Sequence, residues 1–90
     1  MSKELEVQGL TLYHFSACMF CIKVRFFLWR KGIKVSQKDI LIHPQYAQEL
    51  IAGGGKKQVP CLRIESENTV QWLYESTDII NYFKSKLKNG

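Results

Sequence analysis

Long apolar runs are missing from this chain of 90 residues. A stretch such as Phe26 to Trp29 spans four residues, against the ~18–20 needed to cross a bilayer. No membrane partner is therefore expected. The N-terminus carries Lys3, Glu4 and Glu6 and lacks the apolar core of a secretory leader, which points to a cytoplasmic address. Cysteine is scarce and odd in number, at three, so a reactive or metal-binding pair is expected rather than a framework of structural disulfides. No basic block is present either. The 13 Lys and Arg residues are scattered from Lys3 to Lys88 without interleaved aromatics, so the net charge of +5 does not read as a nucleic-acid surface. A small anion would satisfy that charge equally well. Apolar residues are plentiful, at 46%, which argues for an ordered globule, and the length allows one domain with one modest core.

The pattern of residues divides this core among short elements. Met1 to Gly9 carries little periodicity and reads as a lead-in, with the domain proper over 10–88. Leu10 to Phe15 alternates as a strand does. From Met19 to Lys31 the apolar residues Ile22, Val24, Phe26, Phe27, Leu28 and Trp29 cover more than one stripe, which predicts a helix packed over much of its circumference and stopped by Gly32. Ile33 to Ile40 suits a strand near a sheet edge. Pro44 opens a short helix with Tyr46, Ala47, Leu50 and Ile51 at helical spacing, ended by Gly53-Gly54-Gly55. A phosphate-loop reading of these glycines and Lys56 fails, because the motif needs glycine where Leu50 stands. Val59 to Ile64 and Thr69 to Tyr74 predict an antiparallel hairpin across a polar turn. Ser76 is a candidate N-cap for a last helix with Asp78 in its first turn and Ile79, Ile80, Phe83 and Leu87 as the buried stripe. The order strand, helix, strand, helix, strand, strand, helix predicts an α/β domain: a mixed four-stranded sheet flanked by three helices.

Chemistry concentrates in Ser16-Ala17-Cys18-Met19-Phe20-Cys21. A thiol where a strand hands over to a helix faces unsatisfied N–H groups and the positive end of the helix dipole, which favour a thiolate. Cys18 is the expected nucleophile, and Cys21, one turn further in, the resolving thiol. The competing reading is half of a zinc site. Zinc would need two further ligands from Cys61, His14 and His43, none of which forms a second close-spaced pair, so exchange is favoured and no metal is expected. Cys61, amid apolar neighbours, reads as a buried small hydrophobe, with a third redox thiol as the alternative. His14 reads as a satisfied strand residue rather than a general base. The aromatics Phe26, Phe27, Trp29, Tyr82 and Phe83 read as core, and Trp72 as core or partner surface.

Cys18-Met19-Phe20-Cys21 after the first strand, Gln58-Val59-Pro60 before the third and Glu75-Ser76-Thr77-Asp78 opening the last helix resemble glutaredoxins. Lys57-Gln58-Val59-Pro60-Cys61-Leu62 and Tyr74-Glu75-Ser76-Thr77-Asp78-Ile79-Ile80 resemble, more narrowly, the subgroup similar to the N-terminal domain of glutathione S-transferases. The resemblance implies a thioredoxin-like fold of the glutaredoxin type, glutathione as cosubstrate, and exchange on glutathionylated or disulfide-containing proteins by a monomer. It also implies that Cys18 attacks and Cys21 resolves, that the backbone of Val59 pairs with glutathione ahead of a cis Pro60, and that Glu75 and Ser76 hold its γ-glutamyl end. Phe20 and Gln58 are further candidates for substrate contact, and Lys23, Lys56, Lys57 and Arg63 for its other carboxylate. Two departures stand out: Met19 and Phe20 replace the usual proline and tyrosine, and no lysine stands shortly before the motif, where His14, Phe15, Ser16 and Ala17 are found. A transferase-like glutathione-binding domain and an iron–sulfur carrier sharing a cluster between two subunits are the alternatives.

Overall fold

The computed structural model describes residues 5–89. Its elements are β1 (Leu5–His14), α1 (Met19–Lys31), β2 (Ile33–Asp39), α2 (Pro44–Gly54), β3 (Cys61–Glu65), β4 (Val70–Leu73) and α3 (Ser76–Asn89). The strands form one sheet in the order β2-β1-β3-β4, with β1 parallel to β2 and antiparallel to β3, and β3 antiparallel to β4. The mixed sheet follows the predicted order of elements. β1 begins at Leu5, five residues before the alternation becomes legible at Leu10. Between Glu6 and Thr11 its register against β2 shifts, and Gly9 there adopts φ +82°, where a β-carbon would collide with the Glu65 carbonyl oxygen. An irregularity of this kind breaks the period of two that a strand otherwise writes into sequence. The first four residues of the expected lead-in lie outside the described residues.

Alternation along the strands divides the core into two layers. Leu12, Leu62 and Leu73 stand opposite one another across β1, β3 and β4. With Leu10, Val24, Leu28, Ile79 and Phe83 they form the layer under α1 and α3, and each fully buried Leu contributes ~1.5–3 kcal/mol. Tyr13, Ile40, Ala47, Leu50 and Cys61 form the layer under α2, with Trp72 and Tyr74 packed against it. The Tyr13 hydroxyl donates to Glu49 Oε1 at 2.9 Å, as does Lys38 Nζ, which ties α2 to β1 and β2.

One expectation changes. α1 buries only Cys21, Val24 and Leu28, while Phe26 is 54% and Trp29 76% exposed. These two aromatics therefore stand open to solvent and are not core. Ile51 is likewise exposed, because α2 touches the sheet through Ala47 and Leu50. The glycine run ends α2 as expected: Gly53 and Gly54 form its last turn, and Gly55, at φ +90°, is the stop. A β-carbon at Gly53 would overlap the Trp72 ring, and one at Gly54 the Tyr74 hydroxyl, so glycine is what lets the helix lie close to β4. In α3, Ile79 and Phe83 are buried and Ile80 is half-buried, while the Leu87 side chain lies outside the described residues.

Replacing an exposed mid-helix glycine by alanine ordinarily stabilises by ~0.4–1 kcal/mol. Gly53→Ala should instead destabilise by ~1–3 kcal/mol, because Trp72 must move out of its packed position. Denaturant titration decides the sign, and an unchanged or raised midpoint would show that packing against Trp72 is not the constraint.

Candidate functional site

Strand directions gather the candidate residues at one end of the sheet. β1 ends at His14, and Cys61 at the start of β3 pairs with Tyr13. The segment leading into β3, with Val59 and Pro60, therefore arrives where the cysteine loop leaves. β4 runs parallel to β1, so Glu75 and Ser76 emerge at the same end. α1 and α3 both start there, and each presents its unpaired first-turn N–H groups.

Cys18 is the N-cap of α1, with φ −78° and ψ 119°. Its Sγ accepts the Cys21 N–H at 3.3 Å and lies 3.9 Å from the Val59 carbonyl oxygen. The Ile22 N–H donates to the Cys18 carbonyl at 2.9 Å, closing the first turn. Cys18 is partly accessible, whereas Cys21 is fully buried, and all three cysteines are free thiols. Burial, and then the hydrogen bond with Cys18, push the Cys21 thiol up to about 12, so it stays protonated at neutral pH. The two thiols are thus inequivalent: one sits at the surface with a donor aimed at its sulfur, the other is a protonated group in the core.

The Val59–Pro60 peptide bond is cis. Val59 stands two residues before β3, outside the β1–β3 ladder, which begins with Tyr13 and Cys61. The loop in front of it is held by Tyr74, whose hydroxyl donates to the Lys56 carbonyl at 3.2 Å and lies 3.3 Å from the donating Lys56 N–H. In the sequence Tyr74 stands at a strand end and opens the Tyr74–Ile80 motif, with no role of its own. The one signal was its place on the same face as Trp72, the α2 face. Cys61 also lies on that face, fully buried, and burial pushes its thiol up to about 12. It is separated by the sheet from α1 and its thiols, so the reading as a small hydrophobe holds.

α3 starts one residue earlier than a Ser76 cap would allow. Ile79 N–H donates to the Glu75 carbonyl at 2.9 Å, which puts Glu75 at the cap position and Ser76, buried, inside the first turn. Phe20, 62% exposed, and Gln58, also exposed, are open to solvent at this end. Of the candidate cations, Arg63 is engaged by Glu65 at 3.1 Å and by the Trp72 ring, and Lys23 lies between α1 and α3. Lys56 and Lys57 remain on the loop before Val59, with Lys56 Nζ over the Tyr74 ring.

Behind the cysteine loop, Asp39 accepts the Leu41 and Ile42 N–H groups at 2.9 and 3.0 Å and the Ser16 hydroxyl at 3.4 Å. These backbone donors, Ile42 first, hold its carboxyl below the usual range. His14 is buried and its Nδ1 has no hydrogen-bond partner, as is also true of Arg25 Nε. The expectation of a satisfied histidine therefore fails at that nitrogen. Burial, then the positive charge of Arg25, hold His14 below its ordinary 6.5, so it is neutral at pH 7. Among the described residues no three His, Cys, Asp or Glu side chains are grouped to hold a metal ion, and no helix is long and apolar enough to cross a membrane.

Two outcomes follow from these positions. In the reduced native protein, iodoacetamide should add one adduct, at Cys18, with Cys21 and Cys61 modified only on unfolding; mass spectrometry reads the count, and native labelling of Cys61 would contradict its burial. Because the folded state depresses His14, the unfolded chain takes the proton first on acidification. Stability should be complete above about pH 6.5 and fall as the pH drops from there towards the folded value, ahead of the loss from Asp39, whose window lies below its ordinary 3.8. In His14→Leu the denaturation midpoint should change less between pH 7 and pH 5 than in the wild type.

The glutathione S-transferase N-terminal domain family matches this chain over residues 12–89. No curated protein gives a sequence match. Among solved structures, maleylacetoacetate isomerase from Anaeromyxobacter dehalogenans, with glutathione bound in its active site, superposes with a TM-score of 0.66 at 23% identity, over 87% of this chain and 37% of its own. Glutathione transferase E6 from Drosophila melanogaster superposes with a TM-score of 0.64 at 24% identity, over 86% and 34%. Glutaredoxin from Archaeoglobus fulgidus superposes with a TM-score of 0.61 at 16% identity, over 84% and 86%. The chain therefore spans about a third of the length of the isomerase and transferase chains and most of the glutaredoxin. These likenesses establish the thioredoxin-like fold, and the match over residues 12–89 shows that the chain belongs to the glutathione S-transferase N-terminal domain family.

Proposed function

We propose that this domain is a glutathione-dependent thiol–disulfide oxidoreductase acting through Cys18. The observation that carries the reading is the sulfur itself: Cys18 Sγ caps α1, accepts the Cys21 N–H at 3.3 Å and stands 3.9 Å from the Val59 carbonyl. The N–H donor and the N-terminal end of the helix both point at that sulfur. The thiolate attacks the glutathionyl sulfur of a mixed disulfide. A bond forms between Cys18 and glutathione, and the substrate thiolate leaves and takes a proton from solvent. A second glutathione thiolate then attacks the glutathionyl sulfur, which yields oxidised glutathione and restores Cys18. Resolution by Cys21 would first require removing the proton that burial holds on it, so the glutathione route dominates.

The peptide's path uses the other two segments. Val59 lies outside the β ladder, and its main chain pairs with the extended cysteinyl part of glutathione as an added strand would. The first turn of α3 receives the γ-glutamyl carboxylate on its orphan N–H groups while Glu75 meets the ammonium. Lys56 or Lys57 answers the remaining carboxylate, with Gln58 and the exposed Phe20 flanking it. Such exchange belongs in a reducing, glutathione-holding compartment such as the cytoplasm.

The family match favours a second reading, in which bound glutathione is itself the nucleophile towards an electrophile and Cys18 is dispensable. Reduction of a glutathione–hydroxyethyl disulfide by glutathione distinguishes the two. Cys18→Ser should lose activity by at least ~100-fold because no other accessible thiol replaces it, and Cys21→Ser should stay within about threefold of the wild type. Full turnover by Cys18→Ser would overturn the exchange mechanism, and conjugation retained in that variant would support the transferase reading.

A further inference from the structure

Three polar side chains meet beneath the first turns of α1. His14 follows Leu10 and Leu12 at the strand's period of two, which puts it on the β1 face turned towards α1 and α3. Cys21 and Arg25 stand four residues apart on α1, one above the other. Cys21 is fully buried, yet it belongs to neither apolar cluster of the core. Its surroundings are polar instead. The charge of Arg25 acts on both Cys21 and His14, and the Phe15 main chain lies against both side chains. Two atoms of this group are buried and unpaired, Nδ1 of His14 and Nε of Arg25. Burying a polar atom without a partner is costly, and its persistence is accounted for by a partner that arrives in another state. One of the two is a ring nitrogen able to take a proton, the other an N–H donor on a permanent cation. An ionising thiol answers both, because it gives up a proton and becomes an anion.

We propose, resting on the exchange reading above, that His14 is the base that takes the proton of Cys21 and that Arg25 pairs with the thiolate left behind, so that Cys21 releases glutathione from Cys18 when free glutathione is scarce. In this step the Cys21 S–H proton passes to the His14 imidazole, and the Cys21 thiolate attacks Cys18 Sγ of the mixed disulfide. The Cys18–Cys21 bond forms and the bond from Cys18 to the glutathionyl sulfur breaks. Glutathione leaves as the thiolate and takes a proton from solvent, and His14 returns its own proton to solvent. Two glutathione molecules later reduce the Cys18–Cys21 disulfide to two thiols and end as oxidised glutathione. The proton transfer leaves the net charge of the group unchanged. The charges that face His14 are Arg25 from α1, which opposes its protonation, and Asp39 from the end of β2, which favours it; Asp39 is itself bonded to Ser16 of the cysteine loop. The Cys21 thiolate offsets the repulsion between Arg25 and the new imidazolium. Burial keeps His14 neutral at pH 7, the form that a base requires.

The test is a single turnover of the whole chain without added reduced glutathione. Reduced protein is mixed with one equivalent of oxidised glutathione and quenched with acid at intervals, and the glutathionylated form is counted by intact mass. In the wild type the mixed disulfide should form and then vanish as the Cys18–Cys21 disulfide appears, whereas in Cys21→Ser it should persist. Release should slow by ~100-fold in His14→Asn and by ~10-fold in Arg25→Met, with part of the loss recovered in Arg25→Lys. Loading of Cys18 should stay within about threefold of the wild type in all three variants, which also reports that they are folded. Wild-type release should be level above about pH 6.5 and fall below it as His14 is protonated, with a midpoint that coincides with the titration of the His14 ring protons followed by NMR. In His14→Asn it should instead climb with pH through that range. Release by His14→Asn at the wild-type rate, or a wild-type midpoint unrelated to the His14 titration, would overturn the proposal. Loading without release in the wild type would also overturn it while leaving exchange through glutathione intact. Failure of Cys18 to load at all would overturn the exchange reading, and the role of His14 and Arg25 with it.

Discussion

The antiparallel register between β1 and β3, with Leu12 against Leu62 and Tyr13 against Cys61, is the constraint on which the remainder depends. It sends Leu12 and Leu62 into the layer beneath α1 and α3, and Tyr13 and Cys61 into the layer beneath α2. A slip of one residue in β3 would exchange those faces, turning a thiol towards α1 and a leucine towards α2. The same register sets the distance from β3's lead-in to the cysteine loop, so the approach of Val59 O to Cys18 Sγ is a consequence of how two strands align. Tyr74 reinforces this by fixing the Lys56 backbone at both its N–H and its carbonyl, which limits where the following residues can travel.

Depth, more than sequence spacing, separates the two thiols of the pair. Three residues apart on a helix, Cys18 and Cys21 share a face, but one occupies the cap and the other the first turn above the core. Removing water from Cys21 disfavours its charged form, while Cys18 keeps solvent on one side and an N–H donor on the other. The inequivalence needs neither the missing proline nor a neighbouring lysine. With Met19 in the first turn, the chain keeps the backbone N–H that a proline there would lack.

Much of the architecture was legible because its signals are local. Gly32 does adopt the left-handed cap, with φ 69°, at the predicted end of α1, and the bounds Met19–Lys31 coincide with the expected helix. The misreadings share a cause. Phe26 and Trp29 look like core in a sequence because nothing local records which side of a helix will find a neighbour. Gly53 and Gly54 read as nothing more than part of a helix stop because the ring and hydroxyl that demand their small size, on Trp72 and Tyr74, lie about twenty residues away. Leu5 to Gly9 looks patternless because a register shift interrupts the alternation.

By itself the sequence determined the order of the elements and the junction that carries Cys18 and Cys21, since caps, turns and periodicity act over a few residues, while the segments at Val59-Pro60 and Glu75-Ser76 stood out through the family resemblance. Tertiary structure alone decided that these segments share one end of the sheet, that Cys61 faces away from α1, and that Glu75 rather than Ser76 caps α3. Burial and strand register are relations between distant parts of the chain, and they exist only once the sheet has formed.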